Sequence, residues 1–336
     1  MSETSTPLIV PPGAPPLRRG LRRRRVAIAA GLVLLLGGVS LEGIARFGLG
    51  LGDPPLSIAD PQIEYLFKPG VYHRFGNRIA YNAWSMRSDP MPPTKQDPRE
   101  ARVLMLGDSV INGGSLTDQD ELASSILQHR LTQELDRPVT VGNASAGSWG
   151  PGNWLAYVNR YGLFDADLVV IVLSSHDAHD EPTFEPVVGV HPAFPDHPPL
   201  LASQELVFRY LLPRLGFGVG DQPDPFPAQR RTEEALRHLE QLIQMIQAQG
   251  RPLILAQHLA RQEITSKQPD AGHDLILELA QRLHVQTVQL GPAFEEALAR
   301  GQQPYRDDIH PNAEGQRLIA QTLIEPIRAQ LRRAGE

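Results

Sequence analysis

From Ala101 onward the chain alternates short apolar runs with stretches of helical period, and that alternation dictates the class of fold. The runs are residues 103–106, 139–141, 168–173, 253–256 and 285–290. They are rich in Val, Leu and Ile and lack the polar alternation of a strand with one wet face. Each therefore predicts a strand buried on both sides. Helical candidates lie between them at 121–135, 153–163, 232–249 and 273–283, and a last one, 313–331, closes the chain. Strands joined by helical crossovers pair in parallel, with helices on both faces of the sheet. The expectation is an α/β domain whose ligands bind beyond the carboxyl ends of its strands.

The 336 residues leave room for one large domain with appendages, and a 41% hydrophobic composition can fill its core. The first 100 residues read differently. Residues 4–16 are Pro-rich and predict no packed structure. Arg22, Arg23, Arg24 and Arg25 then precede sixteen uncharged residues, 26–41. Cations ahead of an apolar run are the positive-inside signature. The run is slightly short of the roughly 20 residues that cross a bilayer. Glu42 and Arg46 interrupt it, although apolar residues continue to Leu51.

The expected organisation is a cytoplasmic tail over 1–25, a transmembrane signal anchor over 26–51, an extended lead-in over 52–100 and the α/β domain over 101–336. Within the lead-in, 63–67 and 78–81 predict short strands, and polar residues 95–100 a linker. A cleaved signal peptide would give the same N-terminal pattern. The absence of a small-x-small cleavage site before residue 50 favours an uncleaved, single-pass anchor in a bacterial inner membrane. The domain then lies in the periplasm; after cleavage it would be secreted.

Charge and cysteine content exclude several functions. Six Arg and one Glu give the first 25 residues about +5, so a formal net charge of −6 leaves the remainder near −11. An acidic globular part argues against nucleic acid as a partner. The chain has no cysteine, which excludes a Cys nucleophile, a disulfide framework and thiolate metal sites. Residues 181–229 carry ten prolines and no clear period beyond an apolar patch at 206–212. This stretch reads as an insertion after the third strand, a candidate lid or substrate wall.

Two short motifs supply chemistry. Gly107, Asp108 and Ser109 end the first apolar run, which places the Ser109 hydroxyl at a rigid strand terminus followed by Gly113 and Gly114. About 200 residues later, Asp307 stands three residues ahead of His310, which Pro311 and Asn312 follow. Ser109 as nucleophile, His310 as base and Asp307 as the carboxylate that orients the imidazole make the three parts of a serine hydrolase. Asp308 adjoins the motif, but the three-residue spacing favours Asp307.

The Gly-Asp-Ser run after a strand, the Asp-x-x-His-Pro-Asn run before the last helix and the order Ser, Asp, His together resemble the SGNH or GDSL hydrolase superfamily. The resemblance covers about residues 101–336. It implies a three-layer, flavodoxin-like fold and hydrolysis or transfer of an ester-linked acyl group. It implies no metal and no organic cofactor. It also implies an oxyanion hole. The Ser109 N–H is one donor. A backbone donor after the second strand falls on Gly147 or Ser148, and the third falls on His176, where the family carries Asn. A metal cluster of His176, Asp177, His179 and Asp180 is a weak signal on spacing. Trp149 and Trp154 flank the second motif and could stack on a sugar or lie in the core.

The resemblance and the topology together point to an exported esterase or O-acyltransferase. Its expected substrate is an acylated carbohydrate or other small ester, with acetyl groups of envelope or secreted polysaccharide foremost. Two alternatives stay open. A lipid esterase or thioesterase would use the 206–212 patch. A catalytically weak polysaccharide-binding or assembly protein would explain the substitution at His176.

Overall fold

The structure is a computed structural model, described here for residues 17–216 and 227–333. The Pro-rich tail and residues 217–226 of the 181–229 insertion fall outside the described residues. The first helix, α1 (Leu17–Gly43), continues through a π-helical turn at Ile44–Gly48. Residues Arg22–Gly48 are long and apolar enough to cross a membrane. The helix thus begins ahead of the 26–51 expected and stops sooner. Gly50 ends it at φ +66°, and a Cβ there would collide with the His73 carbonyl. Only glycine suits that turn.

The lead-in folds as two antiparallel pairs. β1 (Ser57–Asp60) pairs with β2 (Glu64–Phe67), and β3 (Gly70–Arg74) pairs with β4 (Asn77–Tyr81). Residues 95–100, expected as a linker, are pinned. Lys95 Nζ reaches Asp167 at 2.5 Å. The buried Arg102 guanidinium holds the Glu100 carboxylate at 2.8 Å and donates to the carbonyls of Pro92 and Phe164. A buried guanidinium persists only when so fully paired.

The α/β part begins at β5 (Ala101–Gly107) and α2 (Ser109–Asn112), then α3 (Ala123–Leu135), β6 (Val139–Ser145), α4 (Pro151–Tyr161) and β7 (Leu168–Ser174). The insertion follows with α5 (Ala202–Glu205) and α6 (Leu212–Arg214), joined by a π-helical turn. The rest is α7 (Ala228–Ala248), β8 (Leu253–His258), α8 (Arg261–Ser266), α9 (Ala271–Arg282), β9 (Gln286–Gln289), α10 (Gly291–Ala299) and α11 (Ala313–Arg333).

Strands β6-β5-β7-β8-β9 form one parallel sheet in that order. Leu104 and Leu106 point to the face covered by α4, α7, α9 and the lead-in; Val103 and Met105 point to the face covered by α3, α10 and α11. Every residue of β5 and β7 is buried, as runs without polar alternation require. β9 differs. Read from sequence as buried on both faces, it is an edge strand, and its Gln residues stay partly wet. Truncating a core leucine such as Leu323 to Ala would cost roughly 2–5 kcal/mol. The chain order reverses between the two neighbours of β5, so the crevice of this sheet opens where β5 and β7 end.

Candidate active site

Ser109 is the first residue after the β5 turn. Gly107 lets that turn pack, since a Cβ there would lie 2.8 Å from the Val172 carbonyl and from the Ile111 side chain. Asp108 caps α2 by accepting the Val110 N–H at 2.8 Å. Gly113 closes the helix at φ +71°. The Ser109 N–H lies in the first turn, where a helix offers no internal acceptor. Its hydroxyl is therefore fixed at a strand terminus beside an unpaired backbone donor.

The second loop brings the base. His310 Nε2 lies 2.9 Å from Ser109 Oγ, and His310 Nδ1 lies 2.8 Å from the Asp307 carboxylate. Asp307 also accepts the N–H groups of Ile309 and His310, at 3.1 and 2.8 Å. Burial opposes its charge, but these hydrogen bonds prevail and hold its pKa below the ordinary carboxylate value. A carboxylate that stays ionised keeps the Nδ1–H tautomer, which leaves Nε2 to take a proton from Ser109.

Several residues that the sequence reading did not single out hold this geometry. His258, at the end of β8, is buried among Phe294 and Tyr305, and burial lowers its pKa to about 4. It is neutral, and its Nε2–H donates to the Ile309 carbonyl at 2.9 Å, beside the base. Arg306 donates to the Gly113 carbonyl at 3.0 Å and so ties the His310 loop to the turn after Ser109. From the lead-in, the buried Arg87 guanidinium donates to the carbonyls of Asn112, Gly114 and Thr117. Trp154 donates its indole N–H to the Gly107 carbonyl at 2.9 Å. Both Trp149 and Trp154 are fully buried, so neither is a platform for a sugar.

Gly147 and Ser148 follow β6. The Tyr65 hydroxyl donates to the Gly147 carbonyl, and Ser148 sits in the left-handed region at φ +62°. A planar trans peptide points its N–H opposite to its carbonyl. With the Gly147 carbonyl turned to Tyr65, the Ser148 N–H points away from it. Few side-chain-bearing residues adopt that conformation without a compensating contact.

His176 follows β7. Its Nε2 faces two carboxylates, Asp108 at 3.4 Å and Asp177 at 3.7 Å. Both carboxyls are buried, while the imidazole above them is 45% exposed. Asp108 Oδ2 and Asp177 Oδ1 have no hydrogen-bond partner, so His176 is the group that balances them. Asp177 and then Asp108 raise the pKa of His176, and burial raises that of both carboxyls. Asp180, partly buried, is pushed up to about 6 by loss of hydration. The three groups Asp108, His176 and Asp177 come close enough to bind a metal ion. An imidazolium already lying between the two acids is the simpler way to neutralise them. His179 turns away, to Thr232 Oγ1 at 2.6 Å.

The 206–212 patch of the insertion divides, since Phe208 and Leu211 stay exposed. Leu206 and Tyr210 pack with Ala45, Leu51 and Ala202 at the foot of α1.

Residues 105–318 match the model of the GDSL-like lipase/acylhydrolase family. The chain belongs to this family. It is a serine ester hydrolase. Among solved structures, the fold of this GDSL-like protein is similar to that of a lipolytic G-D-S-L family protein from Veillonella parvula DSM 2008. The two are 11% identical, with 67% of this chain and 97% of that one covered at a TM-score of 0.42. An α/β hydrolase enzyme from the metagenome of Lake Arreo, Spain, is 17% identical over 69% and 96% of the two chains, at a TM-score of 0.45. A catalytic mutant of an acetylxylan esterase from Geobacillus stearothermophilus is 15% identical over 68% and 94%, at a TM-score of 0.44. No curated protein matches the chain.

Proposed function

We propose that this GDSL-like hydrolase is a membrane-tethered, extracytoplasmic esterase that removes short acyl groups, acetyl foremost, from envelope or secreted polysaccharide. The observation that carries the chemistry is the continuous Asp307–His310–Ser109 relay. Ser109 Oγ attacks the acyl carbonyl as His310 Nε2 takes its proton. The oxyanion is received by the backbone N–H groups of Ser109 and of Ser148 or Gly147. Its collapse breaks the ester bond, and the departing sugar hydroxyl takes the proton from His310. Water then attacks the acyl-enzyme, with His310 again as base, and releases acetate.

His176 completes the site as a cation. Its Nε2 serves the two buried carboxyls, which leaves Nδ1–H for the reacting oxygen where the family has an Asn amide. A polymer substrate fits the site's outer wall. Arg306, Asp307, Asp308 and His176 make that wall polar and at least partly exposed, which suits a large hydrated alcohol carrying a small acyl group. An anchor at α1 would hold the hydrolase where such polymers lie.

A fluorophosphonate probe tests the chemistry: it should label the native protein and spare Ser109→Ala. Nitrophenyl acetate should then be cleaved faster than the octanoate, and the reverse preference would sink the short-acyl reading. Acetate appearing on an added oligosaccharide rather than in water would make the protein a transferase.

A further inference from the structure

The foot of α1 and the insertion meet without a linker. The Glu42 carboxylate accepts the N–H groups of Ala202 and Ser203 and the Ser203 hydroxyl, at 2.9–3.0 Å. Arg46 pairs with Glu42 and also donates to the Leu200 carbonyl at 3.5 Å. One residue past the π-helical turn, the Leu49 carbonyl accepts the Phe75 N–H, and Gly52 N–H donates to Glu205 at 2.8 Å. Glu205 in turn forms a buried ion pair with Arg74 of β3. Ala45 and Leu51 are buried in this junction. The domain is therefore bolted to the helix rather than hung from it.

The helix is short. Its sixteen uncharged residues rise about 24 Å at ~1.5 Å each, against a hydrocarbon thickness of roughly 30 Å. The apolar boundary of a bilayer therefore extends about one turn past Leu41, to the level of Ile44, with Phe47 just beyond. Those two side chains are 60% and 86% exposed. At the same level the insertion presents Leu200, 92% exposed, and Leu201. Phe208, Leu211 and Leu215 follow along the same segment, and all three are exposed. Arg209, paired with the buried Glu205 at 3.7 Å, and Arg214 bring cations to the same segment, as at a head-group surface. A row of large apolar side chains left in water is costly and marks a binding surface.

We propose that residues 200–215 are a second membrane contact, lying in the head-group boundary of the bilayer that α1 crosses and fixing the catalytic domain at one height and orientation. The proposal rests on reading α1 as a membrane span. The occupant is the phospholipid surface, because the Glu42 and Arg46 bonds place the start of the segment at the helix exit. The contact also compensates for the short span, since a mismatch of a few ångströms is relieved by apolar residues at the rim.

The chain has no cysteine, so single-cysteine labels are unambiguous. Leu200→Cys and Leu211→Cys, both at exposed positions, would carry a nitroxide in the full-length protein in phosphatidylcholine–phosphatidylglycerol vesicles. Leu34→Cys serves as the anchor control and Gln281→Cys as the water control. Accessibility to oxygen, relative to a water-soluble nickel chelate, should be several-fold higher at 200 and 211 than at 281, approaching that at 34. Lipid-like behaviour at 34 with water-like behaviour at 200 and 211 overturns the contact and leaves the anchor intact. Water-like behaviour at 34 removes both. Spin–spin broadening at 211 that vanishes on dilution in lipid would show a second copy on this face, and would also overturn the proposal.

Discussion

Two histidines reach the crevice of the same sheet, His176 just after β7 and His310 from the loop before α11, each beside carboxylates, and they are built in opposite ways. His310 pairs with a half-exposed Asp307 whose charge is secured by backbone N–H groups. The acid there is outside and the base faces inward to Ser109. His176 is the exposed partner of two buried acids, each of which spends one oxygen on a backbone N–H and has no hydrogen bond for the other. A carboxylate held by hydrogen bonds orients its imidazole and leaves it able to exchange a proton. Buried acids with an oxygen left unbonded favour a cation instead. The first arrangement suits a proton shuttle and the second a fixed charge.

The sharpest way to break this division is at the shuttle. Ser109→Ala and His310→Ala should each lower kcat for nitrophenyl acetate by about 10⁴-fold or more, because the groups act as a unit. Asp307→Asn keeps the shape but loses the tautomer control, and should cost on the order of 10³–10⁴ in kcat. His176→Ala should cost about 10²–10³, the range for one lost oxyanion donor, while His176→Asn retains more because an amide still donates.

The pH profile of kcat/KM separates the two histidines. Neighbouring acids raise the pKa of His176, so its cation persists above the usual imidazole range and its contribution fades as pH rises through the raised value. His176→Asn should therefore remove the alkaline decline. An unchanged alkaline limb would count against a charged role for His176.

Two smaller effects bracket the comparison. Arg87→Met leaves the carbonyls of Asn112, Gly114 and Thr117 without their donor, and should destabilise the protein by roughly 2–4 kcal/mol in chemical denaturation. Asp308→Ala, on an exposed side chain one residue from the orienting acid, should change kcat/KM by less than about threefold. A large loss there would mean that the carboxylate roles are misassigned.

The parallel sheet was legible because its interior strands carry nothing polar in their middles. Their carboxyl ends were not, since Asn143, Ser145, Ser174, Gln257 and His258 extend the strands with residues that an apolar pattern cannot include. Those same residues, or the turns just after them, line the site. α8 and α10 were missed because each is short and its apolar face is brief. The nucleophile and base could be read from motif spacing. Tyr65, Arg87 and His258 could not, because each acts on a backbone carbonyl, and a carbonyl leaves no mark in sequence. That Asp108 and Asp177 both lie beneath His176, each with one oxygen unbonded, is a property of packing.

The relay between Ser109 and His310 joins residues 201 positions apart in the chain. A ribosome delivers them in that order, so the nucleophile emerges long before its base does. Throughout that interval the N-terminal helix is already made and the enzyme is inert. Activity thus appears only when the loop carrying His310 has folded against Ser109, so hydrolysis of a simple ester reports completed folding as directly as it reports catalysis.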